Sequence, residues 1–282
     1  MSSNRCSAGP ASFDHAAADY DEVYGQNWIM RWMRNQSLAA LRAWFRPGSR
    51  LLELGCGTGE EALALRTEGY RIVATEPSQA MLERARSKER GAVNPVQWRC
   101  MGAGAITSLL DEFGPEAFQG AYASFGPMNC EPRPDRVAGA LARLLSHGSP
   151  FICSVMNRVY PWEIAWYLAT CNVHKAFRRL RKEWTSAGLA ASCGSVPVPV
   201  RYYTPREFAG LFQPAFDCRW VRGFPCVLPP PYLAERFHEE RPIMRRLAQI
   251  DAALGARFPF RAYGDHFLMV LRLSNPVGGM TK

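Results

Sequence analysis

Between residues 50 and 156 short apolar runs alternate with segments whose apolar residues recur every three or four positions. The runs predict strands at Arg50–Leu54, Arg71–Thr75, Val96–Met101, Ala121–Phe125 and Pro150–Met156. The periodic segments predict helices near Glu60–Thr67, Ser78–Arg90, Ile106–Phe113 and Pro134–Ser146, with Ser78 as an N-cap and Gly91 as a stop. Such alternation predicts an α/β fold, because parallel strands need crossovers and the crossover helices cover both faces of the sheet. Upstream, Phe13 to Phe45 has helical spacing and no strand. Downstream, a stretch that breaks the alternation precedes a helix near Pro205–Phe212, a strand near Phe216–Gly223, a helix near Pro242–Leu254 and a last strand, His266–Leu273. The expected organisation is a flexible tail (1–12), a helical cap (13–48), a doubly wound core (49–156), a helical lid insertion (157–200) and the C-terminal part of the sheet (201–273). That last part carries a helical insertion at about 231–255, and a second tail spans 274–282.

Composition narrows the class. With 48% hydrophobic and 21% charged residues, 282 residues can bury a full core. No apolar run approaches the ~20 residues of a membrane-spanning helix, and "MSSNRCSAGPAS" at the start has no apolar signal-peptide region. Nine cysteines without a CxxC pair read as free thiols of a cytoplasmic protein, with no metal site. A net charge of +9 favours anionic partners without choosing among them.

The candidate chemistry starts at "LLELGCGTGE", Leu51 to Glu60. Its Gly55-Cys56-Gly57-Thr58-Gly59 brings the third glycine one residue early for a dinucleotide fingerprint, and no GK[ST] follows to make a phosphate loop. Glu53, in the strand leading into the turn, would oppose a pyrophosphate and suit a cationic ligand. Glu76 ends the next strand, 21 residues after Gly55 (76 − 55), close to the offset at which an acid grips ribose hydroxyls. A ribose without phosphates, plus a positive charge, describes S-adenosylmethionine.

"LLELGCGTGE" and "ATEPSQAML" resemble the first two motifs of class I S-adenosylmethionine-dependent methyltransferases, and "FDHAAADYDEVYGQNW" resembles the N-terminal cap of many small-molecule members. The resemblance implies a Rossmann-like, doubly wound, seven-stranded, mostly parallel sheet with helical lid insertions, and S-adenosylmethionine as cofactor. It places Glu53, Gly55 and Gly57 at the methionine end, Glu76 at both ribose hydroxyls, Met81 beside the adenine and Tyr20 over the cofactor, with Cys56 and Pro77 as further cofactor contacts. Gly102, Ala103, Ser124 and Phe125 complete the contacts. Two departures stand out: Ala103 in "CMGAGAIT" occupies the place of the acid that reads the adenine amino group, and Gly120 precedes "AYASFGPMNC" where an acid is usual. The alternative, that these acids and glycines only make turns, does not explain two acids at two strand ends facing one cleft.

The insertion "YPWEIAWYLATCNVHKAFRRLRKEW", Tyr160 to Trp184, has an apolar stripe (Trp162, Trp166, Ala169, Val173, Phe177, Leu180, Trp184) and a basic one (Lys175, Arg178, Arg179, Lys182). Core plus solvated surface is one reading. The other is a lid roofing an acceptor pocket, with Trp162, Trp166 and Asn157 on the acceptor. Its basic face would then attract an anionic acceptor or an anionic membrane surface in peripheral contact. The tryptophans favour an aromatic or lipid-like acceptor for O-, N-, S- or C-methylation. No nucleic-acid partner is expected, since an NPPY-type motif and an RNA-binding appendage are both missing. An RNA-modifying methyltransferase and a non-catalytic, cofactor-binding regulatory subunit stay open as alternatives. His266 is the candidate general base: the resemblance makes the last strand antiparallel, so Asp265 and His266 in "YGDHFLMVLRL" begin it beside the cleft. The plain alternative is that they only cap the strand. His15, His147, His174 and His238 lie at the start, at a helix end or in charged stretches.

Overall fold

A computed structural model describes residues 11–89, 91–180 and 199–274. One seven-stranded sheet has the order β3-β2-β1-β4-β5-β7-β6. Its strands are β1 Arg50–Leu54, β2 Arg71–Glu76, β3 Gln97–Cys100, β4 Gly120–Ala123, β5 Pro150–Met156, β6 Phe216–Phe224 and β7 His266–Leu273. Strands β1 to β5 pair in parallel, whereas β7 runs antiparallel to both β5 and β6. The helices are α1 Ala11–Ala16, α2 Tyr20–Gln26, α3 Trp28–Trp44, α4 Glu60–Thr67, α5 Gln79–Ser87, α6 Leu109–Phe113, α7 Pro127–Cys130 and α8 Pro134–Leu144. After β5 come α9 Pro161–Ala169, α10 Val173–Ala176, α11 Pro205–Leu211 and α12 Pro242–Leu254.

The local signals act where the sequence puts them. Ser78 caps α5 by accepting the Met81 N–H at 3.2 Å, and Asn27 caps α3 by accepting that of Met30 at 3.1 Å. Thr204 and Glu207 form a capping box at α11. Two apolar layers enclose the sheet. Leu52 and Leu54 of β1 face one built from α8 and α11 (Val137, Leu141, Phe208), while Leu51 faces another built from α3 and α4 (Met33, Leu41, Leu65). No helix among the described residues is long and apolar enough to cross a membrane.

Four expectations change. β4 stops at Ala123 because Phe125 (φ 60°) and Gly126 (φ 91°) turn the backbone out of the sheet. The predicted helix at 106–113 is a 3-10 turn, Ala103–Ser108, that leads into α6. The long amphipathic helix of the insertion is broken: Cys171 adopts φ 57° between α9 and α10, and a 3-10 turn at Arg178–Leu180 follows. The stripe therefore does not stay on one face, and Val173, Phe177 and Leu180 are exposed. Lys182 and Trp184 lie outside the described residues. Cysteines 56, 153, 171, 218 and 226 are free thiols, but Cys100 is disulfide-bonded, against the reading of free thiols throughout.

Candidate functional site

The parallel strands β1, β2 and β4 deliver their C-terminal ends to one edge of the sheet, where an open α/β fold leaves its crevice. At that edge the glycine turn follows β1. Gly55 has φ 68°, and a Cβ there would lie 2.5 Å from the side chain of Pro127, so the turn and α7 can close only around a hydrogen. Gly57 has nothing within 4 Å of its would-be Cβ. Its N–H donates to Glu76 Oε2 at 3.0 Å, and the Ser78 N–H donates to Oε1 at 3.0 Å. Glu76 is thus held by its own chain with acceptor capacity left on both oxygens, on the wall of the cavity. Burial raises its pKa against the two N–H bonds that lower it.

Glu53 sits elsewhere than the sequence suggests. Period-two alternation puts it on the Leu51 face of β1, inside the α3–α4 layer, and it is not on the cavity wall. Its strand-register partner Tyr122 donates its hydroxyl to Glu53 Oε2 at 3.1 Å. Burial, reinforced by the nearby Glu61 charge, pushes its carboxyl well above the usual carboxylate range. A carboxyl buried behind the turn and off the cavity wall makes no direct contact with a ligand there, so that part of the sequence argument fails on geometry.

The cavity encloses about 1420 Å³. Drug-sized ligands fill about 300–1,000 Å³, so it has room for a nucleoside-sized molecule and a second small one. Gly55, Cys56, Gly57, Glu76, Pro77 and Met81 line one end, and Gly102, Ala103, Ser124 and Phe125 continue the wall. Tyr20 lines it from the cap, with its ring 4.3 Å from that of Tyr24. All the proposed cofactor contacts except Glu53 therefore converge on one space. A ribose diol fits the two free acceptor sites of Glu76, and the open side of Gly57 admits a close backbone approach.

Two carboxylates fasten the cap over this end. Asp21 accepts from Thr58 Oγ1 at 2.5 Å and pairs with Lys88 at 2.8 Å and Arg84 at 3.2 Å; Asp14 accepts from Ser78 Oγ at 2.5 Å. The glycine turn and the N-terminus of α5 are both tied to the cap by these contacts. Neither carboxylate carries a motif that would mark it in the sequence.

The antiparallel register Met156↔His266 brings the start of β7 to the C-terminal end of β5. His266 lines the cavity, and its Nδ1 lies 2.8 Å from Asp265 Oδ2. Asp265 Oδ1 accepts from Arg179 Nη2 at 2.5 Å, and Arg179 also forks onto Glu163, as does Arg178. Burial alone would raise the Asp265 pKa, but the Arg179 guanidinium and then His266 hold its carboxyl well below the usual carboxylate range. The expected basic surface is thus partly an interior: Arg179 is buried and Arg178 half-buried, both pair with Glu163, and Arg179 also pairs with Asp265. His238, read as solvated, also lies on the cavity wall.

Trp162, Trp166 and Asn157 are not on that wall. The two tryptophans stack at 5.5 Å, and each packs edge-on against Phe237 at 5.7 Å. Asn157 is fully buried, donating to the Ala262 carbonyl and accepting from the Val159 N–H. These positions support the chain rather than a ligand. Trp166→Ala is expected to cost about 1–3 kcal/mol of stability through lost aromatic packing, read as a lowered denaturation midpoint, with cofactor affinity unchanged. The roof comes instead from the cap, from the segment Pro231–Glu240 and from Arg178 and Arg179. Periodicity does not reveal that ending of the insertion, because Glu163 meets its arginines only through the break at Cys171.

Residues 51–148 match the sequence model of a methyltransferase domain family. No curated protein gives a significant sequence match. Among solved structures, the chain resembles an S-adenosylmethionine-dependent methyltransferase of Thermotoga maritima, described as a possible histamine N-methyltransferase (18% identity, 94% of this chain and 99% of that one, TM-score 0.58). It also resembles an S-adenosylmethionine-dependent methyltransferase of Mesorhizobium loti (18% identity, 83% and 96%, TM-score 0.56). A third is the 1,6-didemethyltoxoflavin-N1-methyltransferase of Burkholderia thailandensis, with acceptor and S-adenosylhomocysteine bound (14% identity, 95% and 92%, TM-score 0.54). At these identities the likeness is one of fold.

Proposed function

We propose, proceeding from a chain whose residues 51–148 match a methyltransferase domain family, that it is an S-adenosylmethionine-dependent enzyme that methylates a small acceptor with an aromatic or otherwise apolar body. The observation that carries this reading is a single cavity with the Glu76 carboxylate on its wall at one end and His266 on its wall at the start of β7. Phe13, Tyr24, Trp28, Phe125 and Tyr202 line it as well, giving an apolar acceptor flat surfaces to pack on. The charge of the wall speaks against an anionic acceptor. Of five arginines on it, Arg31 pairs with Glu239, Arg34 with Glu61, and Arg178 and Arg179 with Glu163, which leaves Arg245 without a carboxylate partner among the described residues. A neutral or amine-bearing acceptor fits that wall better.

S-adenosylmethionine, when bound, supplies an electrophilic methyl on a sulfonium whose leaving group is a neutral thioether. The residues of the chain need only align an acceptor, exclude water and accept a proton. Glu76, Gly57 and Met81 would hold the nucleoside. With Asp265 ionised, His266 donates its Nδ1 proton to it, which leaves the Nε2 lone pair to take a proton from a hydroxyl, amine or thiol. The aromatic roof would keep that exchange dry. The fold neighbour that holds an acceptor and S-adenosylhomocysteine together is an instance of this sheet seating two small molecules.

The test is formation of S-adenosylhomocysteine from S-adenosylmethionine with panels of phenols, amines, thiols and fatty acids, followed by the mass gain of one methylene on the acceptor. Turnover with an apolar, neutral or amine-bearing small molecule is expected. Preferential methylation of RNA would overturn the small-molecule reading, and tight cofactor binding with no turnover on any panel would favour a regulatory subunit.

A further inference from the structure

The insertion ends in a buried ionic chain whose members lie far apart in sequence. Glu163 on α9, Arg179 on the 3-10 turn and Asp265 before β7 are each under a tenth exposed, and His266 closes the chain at the cavity. Arg179 bridges both acids: Nε and Nη2 reach Glu163 at 3.1 and 2.8 Å, Nη2 reaches Asp265 Oδ1 at 2.5 Å, and Nη1 donates to the Asp265 carbonyl at 3.0 Å. Its guanidinium lies over the rings of Tyr160 at 5.5 Å and Tyr202 at 5.3 Å. Glu163 also accepts from Tyr232 of the roof at 2.8 Å. Two guanidiniums, Arg178 and Arg179, balance two carboxylates, Glu163 and Asp265, so the cluster is neutral when the imidazole is neutral. Burying four charges at the base of the cavity has a desolvation cost that hydrophobic packing would avoid.

The geometry points to Arg179 as a positioning residue for His266: by clamping Asp265 from the side opposite the imidazole, it fixes the ring with Nδ1 protonated toward Asp265 and Nε2 free toward the cavity. The inference rests on the reading of His266 as the base. It adds that the insertion, through Glu163 and Arg179, sets the tautomer and proton affinity of that base. The charges facing His266 are Asp265 directly, Arg179 through Asp265, and Glu163 and Arg178 behind Arg179. Phe125 and Phe224 pack on the ring without charge, at 6.3 and 6.2 Å between centroids.

The sign of each perturbation follows. Removing the Arg179 charge leaves Asp265 uncompensated and stabilises the imidazolium, so His266 titrates at higher pH. Removing the Glu163 charge leaves Arg179 in excess and lowers it. The test is a histidine-labelled NMR titration with S-adenosylhomocysteine bound, the His266 signals being assigned with His266→Asn. Wild-type His266 is expected in the Nδ1–H form when neutral. Its midpoint is expected to move up in Arg179→Met and down in Glu163→Gln, the directions that loss of a nearby positive or negative charge imposes. If Arg179→Met does not fold, Glu163→Gln decides alone. An Nε2–H tautomer in the wild type, or a midpoint unmoved in the folded variants, overturns the proposal. The base reading fails separately, through an undiminished rate of methyl transfer in His266→Ala.

Discussion

Glu76→Ala is expected to weaken S-adenosylmethionine binding by about tenfold or more in titration calorimetry, since each charge-assisted hydrogen bond is worth about 1.5–3 kcal/mol and tenfold is about 1.4. The change removes more than a ligand contact. The Gly57 and Ser78 N–H groups that now donate to Glu76 lose their acceptor, so the turn and the start of α5 lose the group that ties them together. Glu76→Gln separates the two effects. It keeps one carbonyl oxygen for one of the N–H groups but turns an amide toward the other, and should lie between wild type and alanine. Unchanged affinity in a folded Glu76→Ala protein would remove Glu76 from the cofactor site.

His266→Ala is expected to lower kcat about 10²-fold or more while leaving cofactor affinity intact, the usual scale for losing a general base. The separation is expected because His266 stands at the start of β7, with three strands (β1, β4 and β5) between it and β2, which carries Glu76. Asp265→Asn should also slow transfer, because a neutral amide can present its N–H to Nδ1 and force the wrong tautomer. Full kcat in His266→Ala, measured with an acceptor from the mass-shift panels, would leave alignment as the whole of catalysis.

The sheet was legible because its signals are local. β1, β5, β7, α4 and α12 depend on apolar periodicity, caps and glycines within a few residues, and the structure keeps their predicted limits. The positions of Glu76 and His266 were legible from strand ends and topology. Glu53 was misread because its direction depends on the pleat: residue 53 shares a face with Leu51, and only the strand partner Tyr122 shows where its carboxyl goes. The tryptophans were misread because helical spacing shows that Trp162 and Trp166 share a face but not what covers it, and Phe237 covers it. Arg179 was counted as surface since nothing local announces that Glu163 and Asp265, 16 and 86 positions away, will neutralise it.

The fastening of the cap bears on kinetics rather than affinity. Asp21 and Asp14 tie the cap to the glycine turn and to the start of α5, and a cofactor exchanging past the cap would have to open those contacts once per turnover. The Asp21 bonds to Arg84 and Lys88 are partly exposed, and such pairs weaken as added salt shortens the screening length. Product escape should accordingly quicken with ionic strength, and turnover limited by escape would rise with salt until the chemical step takes over.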